Sequence, residues 1–504
     1  MIEAGANFDL IVIGGGINGA GVARDAAGRG LSVLLVEKSD LSSATSSWSS
    51  KLIHGGLRYL EQYEFRLVAE ALAERETLLN IAQHLVKPMR FVMPHVPALR
   101  PRWMIRAGLF LYDHLGHRAK KPAQPDSQLL GSHGIRLNGE LYGAGLKSDF
   151  THGFIYSDCR VDDSRLVLTN ALSAAEHGAK IMTRTECVAG KRENNAWTLT
   201  LRQNNAATIT VVAKALVNAA GPWVKTVLND RLLQPSTDQV RLVKGSHIVV
   251  NRCYPGEHAY ILQNHDRRVV FMIPYLEHYT LIGTTDVPVN SVADVPEATA
   301  EEIQYLCDAV NRYLENPISP ENILWSYAGV RPLYDDGSAN PSAVTRDYTL
   351  RLDDDGGDAP VLSIFGGKIT TYRKLAEHVL EKLNPWFPAM KPPWTDQEPL
   401  PGSEPSSHSA TEPWQSLPPE ILGAVFSRHG TRISHVMRGV KAIDDLGLHF
   451  GANLYAREID YMLAHEWATT AEDVLYRRSK AGLLLTTEQK AAVATYIEHR
   501  GLRN

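Results

Sequence analysis

The chain has 504 residues, of which 44% are apolar and 21% are charged, which predicts a globular protein of two or three domains and not a disordered one. Its formal net charge of −4 argues against a general nucleic-acid binder, which needs a basic surface. The four cysteines form no CxxC pair, which argues against a zinc site or a disulfide framework and predicts a reducing compartment and no bound metal.

Residues 9–38 at the N-terminus predict a βαβ unit. The run LIVIG is continuously apolar, as a parallel strand buried on both faces should be, and a glycine-rich loop and a helix separate it from the strand SVLLVE. No basic region precedes LIVIG, so we expect a buried strand there and no signal peptide. No uncharged run reaches the length that spans a bilayer.

The loop of this unit has the spacing Gly14-x-Gly16-x-x-Gly19. Gly14 permits a tight turn, Gly16 lets the backbone approach a pyrophosphate, and Gly19 lets the helix pack closely on the strand. The helix N-terminus then presents its partial positive charge to the phosphates. Glu37 ends the second strand, where a carboxylate can accept hydrogen bonds from a ribose, so the unit predicts a bound dinucleotide and disfavours NADP.

The middle of the chain predicts alternating helices and strands. We expect helices over 62–86 and from 161, and a strand-rich region over 240–350. Residues 86–121 are unusual, because eight Lys and Arg residues and a single acid, Asp113, are interleaved with large apolar residues.

The C-terminal part has three sections. Residues 361–380 predict a strand, a glycine-rich loop and a helix, and ten prolines between Pro385 and Pro419 predict a linker or an extended surface arm. The rest predicts helices, two of which begin with capping boxes, Thr469 to Glu472 and Thr486 to Gln489.

Two later segments favour FAD over NAD as the dinucleotide. ALVNAAGPWV is an apolar strand that ends in small residues, and FGGKITTYRKLAEH has a glycine pair and a lysine at a helix start. The N-terminus of such a helix stabilises the negative charge of a reduced flavin. An NAD domain is usually one continuous block, whereas these segments are spread from residue 9 to residue 380, so we predict FAD.

The sequence resembles the FAD-dependent, respiratory sn-glycerol-3-phosphate dehydrogenase family, within the flavoprotein group of the D-amino acid and glycine oxidases. The matching blocks run in order from about residue 9 to 380 and include IVIGGGINGAGVARDAAGRG, SSKLIHGGLRYLEQYEF, NAAGPWV, KGSHIVV, IGTTD, GVRPL, TRDY and FGGKITTYRKLAE. HGGLRYL and GGKITTYRKLAE are specific, whereas many flavoproteins share the first block. The resemblance implies an α/β fold with a Rossmann-like FAD-binding domain, a substrate domain with a mixed antiparallel sheet, and a C-terminal helical domain.

We expect the FAD-binding domain to be discontinuous. The predicted boundaries are 1–75, 150–230 and 345–385 for the FAD-binding domain, 76–149 and 231–344 for the substrate domain, 386–419 for the Pro-rich linker, and 420–504 for the helical domain.

The resemblance implies oxidation of sn-glycerol 3-phosphate to dihydroxyacetone phosphate, with electrons passed through FAD to a membrane quinone. Oxygen is the acceptor in related glycerophosphate oxidases, in which we expect a longer chain. An oxidase of an amino acid or hydroxy acid is a further alternative, although its substrate would need only one arginine. A non-catalytic flavoprotein or an RNA-modifying factor would need a basic surface that the charge balance does not indicate.

A phosphate dianion with a secondary alcohol needs fixed positive charge, preferably a guanidinium group. One cation alone could be a surface or strand-end residue, but several in family blocks favour a phosphate site. The predicted substrate-binding residues are Arg58, Tyr59, Arg331, Arg346 and Lys368.

The reaction also needs a base that takes the hydroxyl proton as hydride leaves the neighbouring carbon. His54 is the first candidate because it lies in the same glycine hinge as Arg58. His247 is the second, although a histidine in an alternating strand is often a core residue. An arginine can stabilise an alkoxide electrostatically, so Arg331 joins His54 and His247 as a predicted catalytic residue.

The hinge around His54 is expected to carry the chain past the flavin ring, with Gly55 and Gly56 allowing close approach and the preceding serines and lysine bonding the cofactor. The predicted cofactor-binding residues are Gly14, Gly16, Asn18, Gly19, Glu37, Lys38, Thr45, Ser46, Ser47, Ser50, Lys51, Leu52, His54, Val188, Ala220, Gly221, Trp223, Gly366, Gly367, Lys368, Ile369 and Thr370.

Quinone reduction requires access to a bilayer, and without a spanning helix the protein would bind the membrane surface. Residues 86–121 are the candidate segment, with a solvated basic face on a plain helix as the alternative. We expect a cytoplasmic protein bound peripherally to the inner face of the cytoplasmic membrane, and a homodimer through the C-terminal helices is a further hypothesis.

Overall fold

A computed structural model describes residues 3–118, 129–138, 141–204, 207–266, 268–292, 297–335, 347–405 and 412–501. The strands are β1 Ala6–Ile13, β2 Val33–Val36, β3 Leu52–Ile53, β4 Val86–Pro94, β5 His133–Arg136, β6 His152–Val161, β7 Lys180–Met182, β8 Thr185–Glu193, β9 Ala196–Gln203, β10 Thr208–Asn218, β11 Val240–Asn251, β12 Ala259–Gln263, β13 Val269–Tyr275, β14 Tyr279–Gly283, β15 Val287–Val289, β16 Ile323–Tyr334, β17 Thr349–Asp353, β18 Val361–Phe365, β19 His449–Gly451 and β20 Leu454–Tyr455. The helices are α1 Ile17–Gly28, α2 Phe65–Ile81, α3 Arg102–Arg118, α4 Asp163–Glu176, α5 Val224–Thr226, α6 Ala300–Asn311, α7 Tyr372–Leu383, α8 Pro419–His429, α9 Ile433–Val436, α10 Ala456–His465 and α11 Thr487–Gly501.

The first sheet has the strand order β17-β18-β10-β1-β2-β7, with β1 parallel to both of its neighbours. Successive residues of β1 face opposite sides of the sheet. Leu10 and Val12 pack with α1, α4 and α7, whereas Ile11 and Ile13 pack with Trp197 of the β8-β9-β10 meander. Both faces are covered, which explains why the β1 sequence is continuously apolar.

The second sheet has the order β15-β11-β14-β13-β12-β4-β6-β3 and is mostly antiparallel, with β12 parallel to β4. Helices α2 and α3 cover one face, where Leu72 and Leu109 pack on Phe91, and α6 covers the other, where Leu306 packs near Ile248. This arrangement, together with the first sheet, confirms the predicted fold class.

The structure differs from the predicted division of the chain at β3 and β6. Both strands fall in ranges assigned to the FAD-binding domain, yet they pair in the second sheet. The reason is that β6 pairs with β4 over nine positions, from Val86 opposite Val161 to Pro94 opposite Gly153. The segment that leads from the glycine loop to His54 therefore crosses from one sheet to the other.

The Pro-rich segment is an arm that packs on α1 and is not a free linker. The Trp394 indole donates a hydrogen bond to the Asp25 carbonyl, and a Cβ at Gly28 would lie 2.1 Å from that ring. Arg24 donates to the Glu398 carbonyl at 2.8 Å, and Leu400 is fully buried.

The C-terminal helices have apolar cores of their own and dock on the first sheet through buried ion pairs. Arg165 of α4 lies 2.7 Å from Glu466, and Lys480 lies 3.2 Å from Asp163. The Thr486–Gln489 capping box forms as predicted, whereas the first box joins Thr470 to Asp473, one residue beyond the predicted pair. Consecutive threonines and consecutive acids made the two registers equivalent in sequence.

Glu458 predicts how acid affects the C-terminal domain. Burial alone would raise the pKa of this carboxyl, but Arg428 and His429 hold it at about 2. The group therefore stabilises the fold fully above its unfolded pKa, near 4.5, and progressively less as the pH falls towards 2. Glu458→Gln should cost about 3 kcal/mol at pH 7, since it breaks a buried ion pair, and less at pH 4.

Thermal unfolding of the variant and the parent protein at the two pH values measures this difference. Glu498→Gln on the exposed face of α11 is the control and should change neither midpoint. A destabilisation by Glu458→Gln that is equal or larger at pH 4 would contradict the assignment.

Candidate active site

A cavity of about 980 Å³ lies between the two sheets. The loops after β1 and β2, the segment from Ser42 to Tyr59, the start of β8 and residues 219–223 form the nucleotide side of the wall. Strands β11, β12, β13 and β16, the residues that follow β14, and the loop 366–370 form most of the rest of the wall. The cavity therefore joins the predicted cofactor segments with the predicted substrate residues.

The glycine loop makes its two closest approaches at Gly14 and Gly19. Gly14 has φ +112°, and a Cβ there would lie 2.6 Å from the Ala219 carbonyl oxygen. A Cβ at Gly19 would lie 1.9 Å from the Gly14 oxygen, so Gly19 serves packing behind the cavity wall, whereas Gly14 and Gly16 line it. Only a chain without side chains at these points lets β1, α1 and β10 meet so closely.

The Glu37 carboxylate lies on the cavity wall and organises the loop around it. It accepts hydrogen bonds from the backbone N–H groups of Gly15 at 2.7 Å and Ser39 at 2.8 Å. Burial raises its pKa, against the effect of these two donors. Lys38 places its Nζ 4.1 Å over the Trp223 ring, and both residues line the cavity beside Ala220 and Gly221.

The segment after β2 supplies polar side chains at the start of α1. Ser46 accepts from the Ile17 N–H at 3.0 Å, and Thr45 donates to the Val330 carbonyl at 2.6 Å. Ser50 and Leu52 also line the cavity. Ser46 and Thr45 thus connect the helix N-terminus to the second sheet.

Besides Gly19, three predicted cofactor residues lie off the wall. The Lys51 ammonium is buried against Asp163 and the Ser47 carbonyl, at 2.9 Å from each, so it is a structural ion pair and not a cofactor contact. Ser47 bonds the Ala44 carbonyl, and Val188 lies at a register shift of β8, whose preceding residues 185–187 line the cavity instead.

The loop 366–370 forms the other end of the wall before α7 begins. Gly366 has φ +78° and Gly367 has φ +102°, and Asn18 donates to the Gly366 carbonyl at 3.2 Å. The Asn18 Oδ1 atom is buried and has no hydrogen-bond partner among the described residues. Ile369 and Thr370 line the cavity here. An unpartnered polar atom between two glycine loops fits a bound dinucleotide.

The Gly55-Gly56 pair has a different role from the one expected. A Cβ at Gly55 would lie 2.5 Å from Leu72, and its N–H donates to the Tyr112 hydroxyl, so packing behind the wall requires this glycine. Gly56 has φ +76° and starts the 3₁₀ helix Leu57–Gln62, and a Cβ there would meet the Tyr59 ring.

Three of the predicted cations line the cavity. Arg58 has a buried Nη2 without a hydrogen-bond partner among the described residues, and the Lys368 ammonium lies 3.9 Å over the Tyr59 ring. Arg331 lies 2.5 Å from Asp286 and 3.2 Å from the Thr284 hydroxyl. Arg346 lies outside the described residues.

The two candidate bases differ in burial and surroundings. His247 is 2% exposed, bonds Ser50 through Nε2 at 2.9 Å and stacks on Tyr327. Burial, with Arg331 and Lys51 nearby, lowers its pKa well below the usual range, so it stays neutral and holds a proton poorly. His54 is half-buried on the wall, its backbone N–H donates to the Thr370 hydroxyl, and it stays the first candidate base.

Some wall residues were not predicted. Asp286 lies in the IGTTD block, so the resemblance could have identified it. Trp48 packs on Gly329, and a Cβ at Gly329 would lie 2.9 Å from Trp48. No sequence signal indicated that the C-terminal domain contributes to the site, yet four of its residues line the cavity: Thr470, Glu472, Asp473 and Arg477. The described residues contain no group of His, Cys, Asp and Glu that could hold a metal ion.

Comparisons with known proteins agree with this geometry. Residues 9–373 match the family described as FAD dependent oxidoreductase, and residues 393–500 match the C-terminal domain of alpha-glycerophosphate oxidase. A glycerol-3-phosphate dehydrogenase of Pseudomonas aeruginosa is 53% identical over 497 residues, covering 97% of this chain and 95% of that protein. A D-erythritol 1-phosphate dehydrogenase of Brucella abortus is 50% identical and covers 98% of both chains.

Among solved structures, a glycerol-3-phosphate dehydrogenase of Bacillus halodurans complexed with FAD is 25% identical, with a TM-score of 0.71. The match covers 98% of this chain and 94% of that one.

Gly14→Ala tests the close approach at the glycine loop. The added methyl meets the Ala219 carbonyl and sits at a positive φ, so the loop must move and FAD content should fall at least about tenfold, since overpacking costs about 1–3 kcal/mol. Flavin absorbance per mole of purified protein measures it. Gly178→Ala is the matched control, because Gly178 also has a positive φ but nothing within 4 Å of its Cβ. Equal FAD content in the two variants would refute the explanation.

Proposed function

This chain belongs to the family of FAD-dependent glycerol-3-phosphate dehydrogenases, and on this premise we propose that it oxidises sn-glycerol 3-phosphate to dihydroxyacetone phosphate and passes the electrons to a membrane quinone. Its cofactor is FAD. The observation that carries the proposal is the group of cations from separate parts of the chain at one end of the dinucleotide cavity.

These cations suit a phosphate ester. Arg58 offers a buried guanidinium nitrogen that no described residue satisfies, and Lys368 adds a second charge from across the cavity. A guanidinium and an ammonium group together neutralise a dianion, which one arginine alone would not. A carboxylate substrate, as an amino-acid oxidase would bind, leaves one of them in excess.

Bound FAD supplies the hydride acceptor, and the side chains of this chain handle the proton. His54 would accept the proton of the substrate hydroxyl, while Arg331 stabilises the oxygen as negative charge grows on it. Asp286 holds the Arg331 guanidinium in place at 2.5 Å. His247 stays neutral and holds the Ser50 hydroxyl in place through its hydrogen bond. Trp48 and Phe271 lie on the wall and limit the access of water to the cavity.

D-Erythritol 1-phosphate is a second candidate substrate, since a dehydrogenase with that name is nearly as similar as the glycerol-3-phosphate enzymes. It carries the same phosphate, so the same cations would bind it, and it differs by one more CHOH group. Comparison of kcat/KM for the two esters separates these substrates.

Anaerobic addition of glycerol 3-phosphate should bleach the flavin absorbance, whereas unphosphorylated glycerol should not. Arg58→Met should raise the concentration needed for half-bleaching about tenfold or more, because a charge-assisted contact to the phosphate is lost. Arg66→Met, in an exposed arginine outside the cavity, is the control and should behave like the parent protein.

Bleaching by glycerol and its phosphate at the same concentration would exclude a phosphate site.

Reoxidation of the bleached enzyme identifies the electron acceptor. A soluble quinone should restore the absorbance much faster than air-saturated buffer does, and the reverse order would identify an oxygen-dependent oxidase.

The proposed membrane surface consists of exposed apolar residues on α3 and next to it. Trp103, Phe110 and Leu111 are exposed on α3, and Tyr63 and Phe65 are exposed where the 3₁₀ helix meets α2. Large apolar side chains in solvent on packed neighbouring elements are typical of an interfacial surface. In the described ranges no helix has both the length and the apolar character to cross a bilayer.

The basic residues of 86–121 contribute less than the sequence suggested. Arg100 pairs with Glu61, Arg106 donates to Ser132, and Arg90 donates to the Leu130 carbonyl, so these charges serve the fold. Arg102 remains exposed on α3. The short helix that leads to Tyr63 also lines the cavity, through Leu57, Arg58 and Tyr59. This connection between the cavity and the proposed membrane surface supports electron transfer towards the membrane side.

Trp103→Ser combined with Phe110→Ser should weaken binding to anionic phospholipid vesicles at least about tenfold, as the loss of two large apolar contacts implies. Arg102→Gln should weaken it about fivefold, in a salt-dependent way. Cosedimentation with vesicles measures both. Leu324→Ser, at another exposed leucine, is the control, and an effect equal to that of the double variant would count against this surface.

Dimerisation through the C-terminal helices stays a prediction.

A further inference from the structure

The C-terminal helical domain forms part of the cavity wall at the end away from the predicted substrate residues. Thr470, Glu472, Asp473 and Arg477 line the same cavity as the glycine loops. Across from them lie Ser39 and Asp40 after β2, and residues 184–187 at the start of β8. The C-terminal helical domain therefore contributes residues to the cavity as well as packing on the first domain.

Two landmarks orient a dinucleotide in this cavity. Glu37 is at the ribose position of the glycine-loop unit, and Gly366 and Gly367 lie beside the cations at the opposite end. Asp40 follows Glu37 by three residues on the same loop. The wall built from Thr470 to Arg477 thus belongs to the adenosine half of the cofactor.

A buried ion cluster holds this wall in place. Asp40 is 2% exposed and accepts from Arg477 Nε at 2.6 Å and from Arg478 Nη2 at 2.8 Å. Arg477 also lies 2.6 Å from Asp473, which in turn lies 2.7 Å from Arg184 at the start of β8.

The Asp473 carboxyl of the cluster is charged at neutral pH. Burial would raise the pKa of Asp473, but the Thr469 N–H and the Arg184 and Arg477 cations hold it at about 2. The carboxylates and guanidinium groups face each other across the boundary between two domains. Separating the domains would leave them buried without partners or expose them together, and either outcome is costly.

We propose that the helical segment Thr470–Arg478 is the adenosine-side wall of the FAD site, and that the Asp40–Arg477–Asp473 cluster is the latch that must open before FAD can leave. The inference rests on FAD binding and not on the identity of the substrate. A cofactor cavity closed by a separate domain releases its ligand only as fast as that domain undocks.

FAD release from the holoenzyme tests the latch. The rise of free-flavin fluorescence after dilution gives the rate constant without any substrate. Arg477→Met should release FAD at least about tenfold faster than the parent protein, because it breaks the cluster at its centre. Arg477→Lys, which keeps the charge but loses the fork of donors, should give an intermediate rate and serves if the Met variant does not fold.

Arg432→Gln is the matched control. Arg432 also joins the C-terminal domain to the first domain, through Glu176 of α4 at 2.5 Å, but it does not line the cavity. Its release rate should stay within about twofold of the parent value, since a half-exposed partner makes the pair weak.

Equal rates of FAD release from the Arg477 variants and the parent protein would overturn the proposal. An equal acceleration by Arg432→Gln would also overturn it, because the docking of the whole domain, and not this cluster, would then set the rate of FAD release. A failure of the proposed substrate would instead appear as an unbleached flavin in a protein that retains FAD at the parent rate.

Discussion

The buried carboxylate of Asp163 is the interaction on which most of the structure depends. It begins α4 and accepts from Ser49 at 2.8 Å, from Lys51 at 2.9 Å and from Lys480 at 3.2 Å. Burial opposes its charge, but the two ammonium groups hold its pKa below the usual range. One carboxylate thereby joins the first sheet, the segment that crosses to the second sheet, and the C-terminal domain. Without the two lysines, an aspartate at this depth would be too costly to keep ionised.

Fixing that segment positions the chemistry on either side of it. Ser50 follows Ser49 and holds His247, while His54 and Arg58 continue the same stretch onto the cavity wall. The first sheet contributes glycine loops and a carboxylate suited to a dinucleotide, and the second contributes Arg331 with its partner Asp286. The two halves of the site belong to different sheets, and the segment anchored at Asp163 keeps them in register.

The parts of the site that were predictable have local signatures. The spacing of Gly14, Gly16 and Gly19 and the position of Glu37 follow from one βαβ unit, so thirty residues of sequence suffice. Lys51 was misassigned because its partner lies 112 residues away and gives no local pattern. The acceptors of Arg100 and Arg106, in the segment 86–121 predicted to bind the membrane, were missed for the same reason, since Glu61 and Ser132 come from other elements. The wall from Thr470 to Arg477 could not be predicted, because only tertiary docking brings it to a loop more than 400 residues earlier in the chain.

That wall has a consequence for biosynthesis. A ribosome makes the glycine loops first and the helical segment Thr470–Arg477 among the last residues, so a nascent chain lacks the proposed adenosine-side wall until translation is nearly complete. During this interval the proposed latch does not yet exist, so FAD binding would not require any domain to undock. The proposed wall is complete once the segment has emerged and paired with Asp40. The order of synthesis thus matches the order of loading and sealing, and a chain that stops before residue 470 would keep its motifs but have no closed site.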